Sequence, residues 1–200
     1  AMGLFEDPYG KTFKNRKRHS PESVKLAKTI ADESTVLLKN ENQLLPLDTK
    51  SLKSIAIIGP NADQVQFGDY TWSRNNKDGV TPLQGIKNRV NKNTAIHYAK
   101  GCSLTSLDTS GIAEAVEAAK KSEVAVIFGG SASAALARDY KSSTCGEGFD
   151  LNDLNLTGAQ SQLIREVYRT GTPVILVLVT GKPFVIEWEK NNLPAILVQW

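Results

Sequence analysis

A cluster of ionisable side chains surrounds Glu147, and these residues have the types needed for acid/base chemistry. The cluster comprises Arg138, Asp139, Glu147, Asp150 and Asp153. A carboxyl group can give or take a proton at a reacting atom. Glu147 also lies between two glycines, which allow backbone conformations that other residues do not adopt and can push the carboxylate into a cleft. Glu147 is therefore a candidate acid or base.

The segment that carries Glu147 is long. About 28 residues separate Gly129 from Thr157, and residues 131–136 are small and weakly patterned. Loops of this length are uncommon in compact domains and are usually functional or disordered. The alternative is a surface loop whose acids are merely solvated, and spacing alone leaves both interpretations open.

Metal-dependent and triad chemistry have little support in the sequence. The two cysteines, Cys102 and Cys145, have neither zinc-ligand spacing nor the pattern of a disulfide framework. His97 alternates with apolar neighbours along a predicted strand, and His19 falls in a predicted linker. Two such separated histidines do not favour a metal site or a Ser-His-Asp triad.

Three further segments lie in loops that follow predicted strands. Residues 59–63, Gly-Pro-Asn-Ala-Asp, lack the dinucleotide-binding spacing, and Pro60 removes a backbone donor that phosphate would need. Residues 67–72 contain three aromatic side chains and a carboxylate within six positions. They form either a sugar-stacking surface or a structural loop, and the structural loop is the favoured alternative. Residues 180–183 are predicted to be a structural strand-end turn.

Apolar periodicity predicts the elements that must position these loops. Ser20 and Pro21 predict the start of a helix that frays near Leu37–Leu38, and residues 44–47 form an apolar lid. Thr157 and Gln160 have the spacing of a capping box. Buried or half-buried strands are predicted at 54–58, 94–99, 124–130, 173–180 and 195–198, with helices beginning near 81, 112 and 157.

This alternation predicts an α/β fold, a mostly parallel sheet with helices on both faces. Ligands bind such sheets at the carboxyl ends of the strands, where the Glu147 loop begins. Residues 1–19 are predicted to be the tail of an upstream domain and a linker, and residues 20–200 one α/β domain. The abrupt ends of the sequence lead us to expect that both the chain and this domain are incomplete.

Composition excludes several other functions. Hydrophobic residues make up 40% and charged residues 22%, as in ordinary globular proteins. The net charge of +3 is too small to predict nucleic-acid binding, and the basic residues 14–19 are interpreted as a solvated linker. The longest apolar run, residues 174–179, is too short to span a membrane.

Several segments, in order, resemble glycoside hydrolase family 3. Residues 3–9 look like the end of the family's N-terminal barrel, and residues 33–47 are similar to the entry into its second domain. Residues 55–63 resemble the first strand and loop of that domain. The motif Gly146-Glu147-Gly148-Phe149-Asp150, with the chain through Leu163, resembles its catalytic loop and following helix. The resemblance runs along nearly the whole chain.

The resemblance implies a retaining, exo-acting β-glycosidase of the β-glucosidase or β-xylosidase type. Glu147 matches the family's acid/base glutamate, and the aspartate nucleophile would belong to an upstream barrel outside this chain. The implied partners are that barrel and a β-linked oligosaccharide or glycoside; no metal or organic cofactor is implied. The resemblance also implies a periplasmic or secreted enzyme, although no export signal is visible.

One position departs from the family pattern. The arginine that commonly follows the loop aspartate is replaced by Leu151, so its role would be lost or taken over, for example by Arg138. Arg138 and Asp139 are accordingly the candidate substrate-binding residues. A non-catalytic sugar-binding or interaction module that keeps the fold is the alternative function, and a nucleotide-binding domain is disfavoured by the missing glycine fingerprint.

Overall fold

The computed structural model describes residues 3, 5–9, 19–68, 70–71, 79–133, 144–150 and 152–200. The chain divides into two compact units, Ala1–Ser34 and Thr35–Trp200. Within the described part, none of the helices has both the length and the apolar character needed to cross a bilayer.

The first unit contains one helix, α1 (Pro21–Ser34). The Ser20 hydroxyl accepts a hydrogen bond from the backbone N–H of Ser23 at 3.2 Å. This confirms the predicted start of the helix, since a serine at this position satisfies a donor that the first turn leaves unpaired. None of the residues of α1 is buried, and the apolar side chains of Val24 and Ile30 are exposed.

The helix ends at Ser34, and the predicted fraying of the helix around Leu37–Leu38 is wrong. Residues Val36–Asn40 instead form strand β1 at the edge of the sheet. β1 runs antiparallel to a strand near the other end of the sequence, with Val36 opposite Val198. Strand preference depends strongly on such pairing, which the local pattern does not contain.

The second unit is built on a six-stranded sheet in the order β1-β6-β5-β4-β2-β3, in which only β1 is antiparallel to its neighbour. The remaining strands are β2 (Ser54–Ile58), β3 (Ala95–Ala99), β4 (Val124–Gly130), β5 (Val174–Val179) and β6 (Ala195–Gln199). The mostly parallel α/β architecture predicted from the sequence is confirmed, together with the positions of these five strands.

Apolar side chains cover both faces of the sheet. Along β2, Ala56 and Ile58 enter one core cluster, and Ile55 and Ile57 enter the other. The alternation follows from the two-residue repeat of a strand, and the continuous apolar run reflects burial of both faces. The helices of this unit are α2 (Pro82–Arg89), α3 (Ile112–Lys120), α4 (Gln160–Tyr168) and α5 (Glu187–Asn192).

The helices are divided between the two faces. Apolar residues of α3 and α4 lie in the first core cluster, and Leu83 of α2 lies in the second. Residues 44–47, predicted as an apolar lid, contribute Leu44, Leu45 and Leu47 to the edge of the second cluster. Helix α5 was not predicted from the sequence, where its six residues, Glu-Trp-Glu-Lys-Asn-Asn, show no apolar stripe.

Candidate active site

The carboxyl ends of β2, β4 and β5 meet at one edge of the sheet, because the three strands are parallel neighbours. The chain leaves this edge at Gly59, Ser131 and Thr180. Each exit is followed by a loop that the sequence singled out. Polar groups from different parts of the chain are therefore brought together here, where ligands bind α/β sheets.

Asn61 joins the loop after β2 to the exit of β4. Its side chain is fully buried, and Nδ2 donates to the carbonyl oxygens of Gly129 and Ser131 at 3.2 and 3.1 Å. Oδ1 accepts from Nε2 of Gln66 at 2.6 Å. A buried amide is costly unless it is paired, so these three bonds hold the first loop against the start of the Glu147 loop.

Short bonds also connect the exits of β4 and β5. The N–H of Ser131 donates to the carbonyl of Val179 at 2.8 Å, and the hydroxyls of Ser131 and Thr180 lie 3.2 Å apart. The Thr180 hydroxyl accepts from the N–H of Lys182 at 3.0 Å. This confirms that residues 180–183 form a strand-end turn, and it places Lys182 beside the Glu147 loop.

Thr144 anchors the returning arm of that loop. Its N–H donates to the carbonyl of Ala132 at 3.1 Å, and its Oγ1 accepts from the N–H of Ala132 at 3.0 Å. The next residue, Cys145, forms a parallel β-bridge with Ser133. The two arms of the loop are thus fastened together immediately before the Gly146-Glu147-Gly148 turn.

Lys182 supports the same anchor from the other side. Its Nζ donates to the carbonyl of Thr144 at 2.6 Å and lies 5.2 Å from the ring centroid of Phe184. Burial lowers the pKa of Lys182, and electrostatic interactions with Cys145 and Asp153 oppose that shift. Burial also raises the pKa of the other thiol, Cys102, to about 11; both cysteines are free.

The turn itself presents Glu147 at its tip. Gly146 and Gly148 have φ angles of +109° and +77°, and the N–H of Phe149 donates to the carbonyl of Gly146 at 3.1 Å. Glu147 is exposed. The left-handed backbone that the flanking glycines predicted is present, and it turns the carboxylate outward from an anchored loop.

The carboxylate of Glu147 meets the loop that follows β2. Tyr70 donates a hydrogen bond from its hydroxyl to Oε2 of Glu147. The sequence pattern of residues 67–72 indicated sugar stacking or a structural role and did not reveal this contact. No sequence signal could have found it, because the two residues lie 77 positions apart and meet only through the adjacency of β2 and β4.

The remaining predicted site residues are distributed as follows. Arg138, Asp139 and Leu151 lie outside the described residues. Asp150 is exposed next to the turn, and Asp153 accepts a bond from the N–H of Asn155 at 2.8 Å. Within the described ranges, no group of three or more His, Cys, Asp and Glu side chains is arranged to hold a metal ion.

Gln160 has a different role from the predicted one. The capping box between Thr157 and Gln160 is wrong, because α4 begins at Gln160 and the Thr157 hydroxyl donates to the carbonyl of Leu104 at 2.7 Å. The Gln160 side chain instead accepts from the N–H of Gly130 at 2.8 Å and donates to the carbonyl of Gly130 at 3.0 Å. It therefore fixes the last residue of β4, where the Glu147 loop begins.

The sequence matches the model of the glycosyl hydrolase family 3 C-terminal domain over residues 35–200, the span of the second compact unit. The chain belongs to this family. The resemblance identified from the ordered motifs is thereby confirmed.

Relatives with this family 3 domain include a β-xylosidase from Formosa agariphila, 39% identical over 185 residues that cover 90% of this chain and 24% of the relative. A periplasmic β-glucosidase from Salmonella typhimurium is 34% identical, and the alignment covers 100% of this chain and 28% of the β-glucosidase. The structure of a β-glucosidase from Listeria innocua in complex with glucose aligns with a TM-score of 0.80 and 27% identity. That alignment covers 99% of this chain and 26% of the Listeria chain. The chain thus spans about a quarter of the length of these relatives.

In the described part of this family 3 domain, the turn of an anchored loop presents the Glu147 carboxyl group outward at the carboxyl edge of the sheet, with the exposed Asp150 next to it. A carboxyl group in that setting can exchange a proton with a molecule bound above the edge. The hydrogen bonds of Thr144, Lys182 and Gln160 join backbone groups of the loop and its base, and these bonds hold the loop in place. Glu147 is therefore the candidate group for proton transfer, with Tyr70 beside it.

Proposed function

We propose that this chain is the acid/base-carrying domain of a retaining, exo-acting β-glycosidase. The enzyme releases terminal β-linked glucose or xylose, and Glu147 is its general acid/base. The observation that carries the proposal is the exposed Glu147 carboxyl group at the tip of an anchored turn, in a chain of glycosyl hydrolase family 3. The two sugars are those for which the relatives are named.

In the proposed reaction, Glu147 changes its role between two steps. First, an aspartate outside this chain attacks the anomeric carbon, the glycosidic bond breaks, and Glu147 gives its proton to the departing oxygen. The Glu147 carboxylate then takes a proton from the water that displaces the enzyme from the sugar. Retention of configuration requires the two carboxyl groups to lie about 5 to 5.5 Å apart.

The rest of the site belongs to a larger protein in this proposal. An upstream barrel supplies the nucleophile and most contacts to the terminal sugar, and residues 1–19 are the end of that barrel and the linker. Arg138 and Asp139 are proposed to contact the substrate from the long loop. The 200-residue chain alone is then expected to have no hydrolase activity, and turnover by the purified chain would contradict the divided site.

The decisive experiment replaces Glu147 with alanine in the full-length protein. We expect hydrolysis of alkyl glucosides and xylosides, whose leaving groups need a proton, to fall by about 10² to 10⁴-fold. The leaving group of 2,4-dinitrophenyl glycosides departs without a proton. For these substrates, the rate of the first step should fall far less. Added azide should replace water in the second step and yield a β-glycosyl azide.

Glu117→Ala is the matched control, because Glu117 is an exposed carboxylate on α3 that pairs with Lys120. This variant should hydrolyse both kinds of substrate at the unmodified rate. Normal turnover of alkyl glycosides by Glu147→Ala, without glycosyl azide, would refute the role of Glu147. If the unmodified full-length protein binds β-glycosides but hydrolyses none, the alternative of a non-catalytic sugar-binding module would be supported instead.

A further inference from the structure

The contact between Tyr70 and Glu147 joins two loops that other hydrogen bonds also hold in place. The loop after β2 is held by the buried Asn61 and its bond from Gln66. The Glu147 loop is held by the bonds between Thr144 and Ala132. Because both backbones are ordered by other contacts, bringing the two side chains together costs little additional conformational entropy.

We propose that Tyr70 is a positioning residue that fixes the orientation of the Glu147 carboxyl group; this inference rests on the proposed function. The Tyr70 hydroxyl donates to Oε2, and the proton transfer is then assigned to the other carboxyl oxygen, Oε1. The bond restricts the rotation of a carboxyl group that lies on an exposed tip. Proton transfer requires the reacting atoms to be held within hydrogen-bonding distance, so this restriction favours the productive geometry.

The same hydrogen bond serves both steps of the reaction. When Glu147 is protonated on Oε1, Oε2 is a carbonyl oxygen and accepts from the phenol. When Glu147 is ionised, Oε2 still accepts, and the bond is charge-assisted. Tyr70 keeps its own proton throughout and transfers nothing, so the proposed role is orientation and not acid/base catalysis.

The test is Tyr70→Phe in the full-length enzyme, assayed on substrates that differ in their need for a proton. We expect kcat/KM for an alkyl glycoside to fall about tenfold, corresponding to the loss of one hydrogen bond to a charged group. The first step with a 2,4-dinitrophenyl glycoside should change less than twofold. The ring of Tyr70 is 86% exposed, so removing the hydroxyl should not affect folding.

Tyr168→Phe is the matched control. Tyr168 lies on α4 with its ring edge-on to Trp188 at 5.3 Å between centroids, and the variant keeps that ring contact. Activity on both substrates should be unchanged in this variant. Equal losses on the two substrates with Tyr70→Phe would indicate a merely structural role and overturn the proposal, as would full activity on both.

A double-mutant cycle separates this inference from the proposed function. If Tyr70 acts through Glu147, then Tyr70→Phe should cause no further loss in a protein that already carries Glu147→Ala. If the activity losses of the two substitutions multiply in the double variant, the positioning role of Tyr70 is overturned. The proposed function would still stand in that case, because it depends on the leaving-group-selective defect of Glu147→Ala. If Glu147→Ala itself shows no leaving-group-selective defect, the proposed function fails, and the role of Tyr70 fails with it.

Discussion

Gly148 contributes to the site through its backbone alone. Its φ angle of +77° lies in the left-handed region, and a Cβ added there would meet no atom within 4 Å. Gly148→Ala is therefore expected to cost about 1 kcal/mol of backbone strain without a steric clash. If the turn relaxes to avoid that strain, the Glu147 carboxyl group moves, and the proposed hydrolysis of alkyl glycosides should fall at least tenfold.

Gly171 provides a closely matched control for that prediction. Its φ angle is +79°, and a Cβ would again meet nothing within 4 Å, but it follows α4 at the opposite edge of the sheet. Gly171→Ala should lower the free energy of unfolding by a similar amount, measured by urea denaturation, and leave activity unchanged. Equal activity of the Gly148→Ala and Gly171→Ala enzymes would contradict a specific role for the Gly148 backbone.

The sequence supplied part of the site and missed the rest for a physical reason. Glu147 could be selected as a candidate because its flanking glycines and its long loop are local features. The contact of Tyr70 with Glu147 and the bond from Lys182 to Thr144 depend on which strands are neighbours. Periodicity predicts strands, but it carries no information about their order in the sheet.

At the scale of the elements, Gln160 links the start of α4 to the end of β4. Its side chain is 1% exposed and exchanges hydrogen bonds with both backbone groups of Gly130. Gln160→Leu is expected to lower the free energy of unfolding by about 3 kcal/mol, because it leaves these buried groups unpaired. Urea denaturation would measure the loss, and amide exchange at Gly130 and Ser131 should accelerate.

Gln162→Leu is the control for this helix. Gln162 lies two residues further along α4 and is exposed, so the substitution should change stability by less than about 0.5 kcal/mol. Similar small effects of the two substitutions would show that the buried bonds of Gln160 contribute little. The failed capping-box prediction has the same origin: local spacing matched a common motif, while the buried partners of Gln160 came from a distant strand.

The elements themselves were largely predictable, with an instructive exception. Strands β2 to β6 follow from apolar runs that are bounded by turns, since burial on both faces leaves a strong local signal. Strand β1 has no such signal, because Leu37 and Leu38 are about half exposed and continue directly from α1. Its strand conformation comes from pairing with β6, a tertiary contact that overrides the helical pattern before it.

At the scale of the molecule, the sheet order places β4 and β2 side by side in the middle of the parallel array, flanked by β5 and β3. The loops of β2, β4 and β5 therefore leave adjacent positions on one edge. Buried polar groups of Asn61, Ser131 and Thr180 hold these exits together. The arrangement gives the Glu147 loop a rigid base, which the proposed catalytic role of Glu147 requires.

Deletion of β1 tests what the edge strand contributes to the second compact unit, Thr35–Trp200. Compared with the chain that starts at Thr35, the chain that starts at Glu41 should lose at least about 2 kcal/mol in its free energy of unfolding. The deletion removes β1 and leaves the edge of β6 unpaired.

Urea denaturation followed by tryptophan fluorescence measures this loss, because Trp188 packs against the first core cluster. We expect an earlier unfolding midpoint for the chain that starts at Glu41 than for the chain that starts at Thr35. Equal stability of the two chains would show that β1 is dispensable.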